Sequence, residues 1–76
     1  MPKSVFSTKY TRFRDLLVEA RRSKRMTQAD LAVRLGRKQS YVSKFERGER
    51  RLDIVEFLEI AEVLEVDVLR FIEQLL

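Results

Sequence analysis

Gln39, Ser40, Ser43 and Lys44 sit in a short stretch, Gln39-Ser-Tyr-Val-Ser-Lys-Phe-Glu-Arg47, whose apolar members Val42 and Phe45 are three residues apart. On a helix that spacing turns Val42 and Phe45 to one side and leaves the four polar side chains on the other. An amide, two hydroxyls and an ammonium are donors and acceptors of the kind that read base edges in a major groove. Glutamine suits a bidentate contact with adenine, and serine serves several bases. An ordinary solvated helix face has the same polarity, so the surrounding sequence must decide between the two.

Other chemistry is poorly supplied. The 76 residues include no Cys and no His, so there is no thiol nucleophile, no imidazole base and no ordinary zinc site. Glu56, Glu59, Glu62 and Glu65 recur in three-residue steps, and with no histidine near them they read as a solvated face rather than a metal or acid–base pair. The expectation is a protein that is not an enzyme and holds no cofactor and no metal. Nothing resembles a signal peptide or a run able to cross a bilayer. The chain therefore reads as cytoplasmic, with no membrane partner.

The net charge of +4 conceals a division. Met1 to Arg51 carries fifteen Lys/Arg against five Asp/Glu, whereas Leu52 to Leu76 carries one Arg against seven acids. A basic part facing a polyanion and an acidic part turned away from it would produce this split. Charge alone also admits RNA or an anionic membrane.

The elements that must position Gln39 and its neighbours are all helical. Residues 1–7 read as a flexible N-terminal arm and 8–76 as one domain. Phe13, Leu16, Leu17 and Ala20 mark a first helix over about Lys9 to Lys24. Thr27 should cap a second, accepting from the Asp30 amide, with Leu31, Ala32 and Leu35 inside. Gly36 should end it in a left-handed conformation, and Gly48 should end a third helix over about Lys38 to Arg47. Asp53 should cap a fourth carrying Ile54, Phe57, Leu58, Ala61 and Leu64, and Asp67 should start a fifth. No segment alternates at period two, so the fold class is all-α with five helices.

Thr27 to Arg47 meets each requirement of a helix-turn-helix in register. Ala32 is the small residue where two backbones approach, Gly36 forms the turn, and Leu31, Leu35, Val42 and Phe45 face inward. A plain helical hairpin would not need all of these together.

On these residues the chain resembles the Cro and phage-repressor type regulators, the XRE family, with a lambda-repressor-like fold. Met26-Thr-Gln-Ala-Asp-Leu-Ala-Val-Arg-Leu-Gly36 is similar to the family's first motif helix. Gln39-Ser-Tyr-Val-Ser-Lys-Phe-Glu-Arg-Gly48 resembles its recognition helix and exit turn, and the likeness spans roughly Phe13 to Ile72. The resemblance implies that Gln28 contacts a phosphate at the start of the second helix. It also implies that Gln39 and Ser40 enter the major groove, that Ser43 and Lys44 follow one turn on, and that Arg47, Arg50 and Arg51 clamp the backbone. Arg21 and Glu46 should form a partly buried ion pair.

Three positions depart from the family pattern. Arg25 stands where a helix-ending Gly is frequent, which implies a less sharply turned end to the first helix. Arg37 replaces a usually apolar residue and Lys38 a frequent Ser cap. The recognition helix should then start less firmly, with both cations placed for phosphates. Tyr41 fits either a DNA contact, to a thymine methyl or the sugar-phosphate, or local packing.

The resulting expectation is a sequence-specific regulator of transcription, a repressor, that binds an inverted-repeat operator in double-stranded DNA as a homodimer. An antitoxin or a restriction-modification controller would share these features. A helical protein-interaction module is the reading from a different class, and the cations beside Gln39 argue against it. No small-molecule effector is evident. The fifth helix carries more apolar residues than one stripe needs. With Leu69, Ile72 and Leu76 packed inward, Val68, Phe71 and Leu75 remain as a dimer interface.

Overall fold

A computed structural model describes residues 7–76. Five helices follow one another: α1 (Thr8–Ser23), α2 (Gln28–Leu35), α3 (Gln39–Arg47), α4 (Ile54–Leu64) and α5 (Val68–Glu73), and no strand occurs among the described residues. Residues 1–6 of the expected arm lie outside the described residues. Ser7 caps α1, its hydroxyl accepting the Tyr10 amide at 3.1 Å.

Side chains of the types that favour caps begin four of the helices. Thr27 and Asp53 each form a reciprocal capping box, with Asp30 and Glu56 three residues on, which satisfies two amides that a helix start leaves bare. Asp67 accepts the Arg70 amide at 3.2 Å. Lys38 begins α3 with no side-chain cap bond.

Four helices close in the same way, with a left-handed residue whose successor donates back across the last turn. Gly36 and Gly48 do this at φ 69° and 82°. Arg25 and Glu65 do it as well, at φ 58° and 57°. The Met26 amide reaches the Arg21 carbonyl and the Val66 amide the Ala61 carbonyl. The end of α1 is therefore as sharply turned as the others, contrary to the expectation drawn from Arg25. Closing these carbonyl bonds outweighs the steric cost of a Cβ in the left-handed region.

The core draws on every helix: Leu16 and Leu17, Leu31 and Ala32, Val42 and Phe45, Phe57, Ile60, Ala61 and Leu64, and Phe71. Phe13 links three elements, its ring 5.4 Å from Phe57 and 5.8 Å from Phe71, while Phe57 and Phe71 lie 5.1 Å apart. Such tilted and edge-on contacts add to the burial of the rings themselves.

Here the expected rotation of α5 is corrected. Phe71 is 4% exposed and belongs to the core, and Val68 and Leu75 pack against it. Leu69 and Leu76, expected inside, are 76% and 90% exposed, and Ile72 is exposed too. Val68, Phe71 and Leu75 are thus not an outward interface. Both stripes of α5 are apolar, so periodicity cannot rank them. The aromatic ring between Phe13 and Phe57 decides, and it carries its i−3 and i+4 neighbours inward with it. On α4 likewise Ile60 is buried, while Ile54 and Leu58 face out with Val55.

Candidate nucleic-acid interface

The two helices of the motif are set by short-range chemistry. Gly36 closes α2, the Arg37 amide returns to the Ala32 carbonyl at 2.9 Å, and α3 starts two residues later. Val42 and Phe45 anchor α3 from below. That rotation brings Gln39, Ser40 and Lys44 to the surface, with Ser43 half-buried and its hydroxyl accepting from Arg47 Nη1. Because Lys38 provides no side-chain acceptor, the first turn of α3 has amides to offer an anion.

Arg37, Lys38 and Lys44 surround this end of α3 and make no ion pair among the described residues. The Arg37 guanidinium lies over the Tyr41 ring, 4.4 Å from its centroid. Tyr41 itself packs edge-on against Phe45 at 5.5 Å, so local packing is one of its roles. Burial, seconded by the Glu56 carboxylate, pushes its hydroxyl pKa up.

The arginines at the end of α3 and just beyond it divide. Arg47 pairs with Glu49 at 2.9 Å in an exposed contact. That contact lowers the Glu49 carboxyl pKa and raises the Arg47 pKa, first through the shared hydrogen bond. Arg50 grips Glu56 with two bonds, 3.0 and 2.8 Å, and also lies 5.0 Å from the Tyr41 ring centre. The Arg50 bonds, followed by the Asp53 amide, hold the Glu56 carboxyl down at about 2. Arg50 thus ties α3's exit to α4, and Glu56 is a structural carboxylate rather than part of a solvated face. Arg51 lies over Tyr10, 4.0 Å from the ring centroid.

Behind α3, Glu46 gathers contacts from two elements. Arg21 donates to both its oxygens, at 2.8 and 3.0 Å. Gln28 donates its amide to Oε1 at 2.9 Å, so the side chain expected at a phosphate is partly engaged inside. Its second amide hydrogen has no partner among the described residues. Arg14, which residue type alone does not single out, donates from Nη1 to the Glu46 carbonyl at 2.9 Å and caps the end of α3. Its spacing held the signal, because Arg14 and Arg21 are two helical turns apart on one face.

This arrangement is a rigid scaffold presenting one polar helix face and a fringe of cations, and comparison with known proteins places it. The helix-turn-helix family matches residues 17–71. Among solved structures, an XRE-family like protein from Pseudomonas syringae pv. tomato str. DC3000 is 45% identical, with 88% of this chain and 82% of that chain covered and a TM-score of 0.83. A mutant of the restriction-modification controller protein C.Esp1396I is 33% identical over 91% of this chain and 92% of its own, with a TM-score of 0.81. A second mutant of that controller is 32% identical over 91% and 87%, with a TM-score of 0.80. No curated protein matches significantly. The five helices, the motif at α2 and α3 and these relatives together make the chain a member of the XRE-type helix-turn-helix family of DNA-binding transcription regulators.

Proposed function

We propose that the chain is a repressor that binds an inverted-repeat operator as a homodimer, with Gln39 and Ser40 reading base edges and Ser43 and Lys44 extending the contact. Arg37, Lys38, Arg51 and the second amide hydrogen of Gln28 contact phosphates. The observation that carries this reading is the exposed start of α3, polar along its outer face and fringed by three cations with no ion-pair partner among the described residues. Cations left without carboxylate partners are suited to displacing the counterions of a duplex. On this reading the protein acts in the cytoplasm.

The dimer face consistent with the fold is Leu69, Ile72 and Leu76 of the α5 region with Ile54, Val55 and Leu58 of α4, all exposed. Ile54 and Ile72 line one shallow pocket, and large apolar side chains left exposed on two helices of so small a domain favour burial against a second copy. Leu69→Glu should leave the helices intact and yield a monomer with weaker DNA binding. A wild-type protein that sediments as a monomer at tens of micromolar would sink the dimer.

Selection of bound duplexes from a random pool tests the whole reading. A two-fold dimer sets its half-sites about one helical turn, roughly 34 Å, apart, so the enriched DNA should be an inverted repeat. Affinity should fall on the order of a thousandfold between about 50 and 200 mM salt. Absence of any enriched sequence would defeat the base-reading assignment. In vitro transcription from a promoter overlapping the selected site should decrease with added protein.

A restriction-modification controller is a second reading, favoured by 33% identity over nearly the full length of both chains to a mutant of such a controller. It expects the selected operator to lie upstream of a restriction endonuclease gene, and an operator elsewhere removes it.

A further inference from the structure

Of the three arginines that end or follow the recognition helix, two are already matched by carboxylates, Arg47 by Glu49 and Arg50 by Glu56. Arg51 makes no ion pair and donates no side-chain hydrogen bond among the described residues, yet it is held. Its guanidinium carbon stands 4.0 Å from the centre of the Tyr10 ring. A cation held over a ring face keeps its N–H donors for another acceptor, and the ring's electrons favour the charge where it stands.

Tyr10 also holds the backbone beside Arg51. Its phenol oxygen accepts the Leu52 amide at 3.3 Å, across 42 residues of sequence. The rest of this connection is secured on either side. The Glu49 and Arg50 amides return to the Lys44 carbonyl, the Arg51 carbonyl accepts from Arg50 Nη1, and the Asp53 amide donates to Glu56. Tyr10 is itself fixed, because its amide donates to the Ser7 cap and its ring lies 5.4 Å from Phe13. One aromatic side chain at the start of α1 therefore governs both the path of the chain at Leu52 and the placement of the Arg51 head group.

We propose that Tyr10 is a positioning residue for DNA binding, seating Arg51 so that its guanidinium meets a phosphate of the duplex backbone. The proposal rests on the DNA-binding reading above and adds to it a residue outside the helix-turn-helix. It also ranks Arg51 above Arg47 and Arg50 as the backbone anchor of the exit turn, since those two would have to leave a carboxylate first.

The test is fluorescence anisotropy with a random-sequence duplex of about 25 base pairs, titrated at several salt concentrations with the full chain. Arg51→Ala should weaken binding about threefold to tenfold and make the log–log salt slope shallower by about 0.9 for each phosphate that is no longer neutralised. Tyr10→Leu should reproduce both changes, and the double variant should be no worse than either single one. Tyr10→Phe, which keeps the ring, should restore affinity to within about twofold of the wild type. A purely structural role for Tyr10 would lower the melting temperature, leave the salt slope unchanged and add to Arg51→Ala, and that pattern overturns the proposal. Wild-type affinity for Tyr10→Leu alongside weak binding by Arg51→Ala overturns the seating alone. Full affinity for Arg51→Ala removes the anchor while leaving the base-reading face intact. No binding by the wild type to random or selected duplexes defeats the DNA-binding reading itself.

Discussion

Arg21 and Glu46 form a two-pronged ion pair with side chains only 9% and 6% exposed, joining the last turn of α1 to the last turn of α3. The third nitrogen of Arg21, Nη1, donates to the Met26 carbonyl at 2.8 Å, so the same guanidinium also fixes the turn that leads into α2. Gln28 completes the cluster from the start of α2. The recognition helix is thus held from behind by charge and hydrogen bonding, and from below by Val42 and Phe45.

Removing one partner of this pair should be costly. Glu46→Gln leaves the Arg21 cation without its counter-charge in a largely desolvated place, a loss of roughly 3–5 kcal/mol. For a domain of this size that approaches the whole stability. Urea denaturation measures it, and an unchanged midpoint for Glu46→Gln would mean the pair contributes little. Arg21→Met combined with Glu46→Leu should recover much of the loss, because no charge is then stranded.

The two glycines should respond differently to alanine. Both are left-handed, which costs a Cβ-bearing residue about 1–2 kcal/mol. A Cβ at Gly36 meets nothing within 4 Å, whereas one at Gly48 comes within 3.0 Å of the Arg14 guanidinium carbon. Gly48→Ala should therefore destabilise more than Gly36→Ala, and it should also disturb the Arg14 bond that caps α3. Equal melting temperatures for the two variants would contradict this.

Arg25 offers the reverse substitution. It already holds φ 58°, so Arg25→Gly removes steric strain at a turn whose hydrogen bonds stay in place. A gain of about 1 kcal/mol, or roughly 4–8 °C in melting temperature, is expected. A lower melting temperature would show that the arginine side chain contributes more than the strain it causes.

Acid should act through Glu56. Folding lowers its carboxyl pKa from the usual 4.5 to about 2 through Arg50 and the Asp53 amide. A lowered pKa contributes stability that is fully present above about pH 4.5 and is lost as pH falls toward 2. Asp30, Glu49 and Glu65 are lowered as well and titrate in acid beside it. Glu56→Gln should be less stable at pH 7, by about 1–2 kcal/mol for the missing cap and charged bonds. It should also lose less on acidification than the wild type. Parallel stability-versus-pH curves for the two proteins would count against this role.

Gln39 should set sequence preference. Gln39→Ala is expected to cost about 1–3 kcal/mol on the selected operator and to relax one base position. Binding to random DNA should barely change, in contrast with Arg51→Ala. Equal losses on both duplexes would assign Gln39 to the backbone instead.

Much of this fold is written locally in the chain. The caps at Thr27, Asp53 and Asp67, the stops at Gly36 and Gly48, and the polar outer face of α3 depend on residues within a turn of one another. Side-chain type and spacing are sufficient for such features, and they locate the candidate base-reading face without any tertiary information. The relationships decided by the three-dimensional structure join residues far apart in sequence. The rotation of α5 depended on which of two equally apolar stripes met Phe13 and Phe57. The end of α1 turned sharply at Arg25 because closing the carbonyls outweighed a strained φ. The arginines after α3 are alike as letters, yet Arg50 meets Glu56 on α4 and Arg51 meets Tyr10 on α1. Periodicity reports which residues share a face but not what lies opposite it. Only packing in three dimensions determines which cation is neutralised and which is left without a carboxylate.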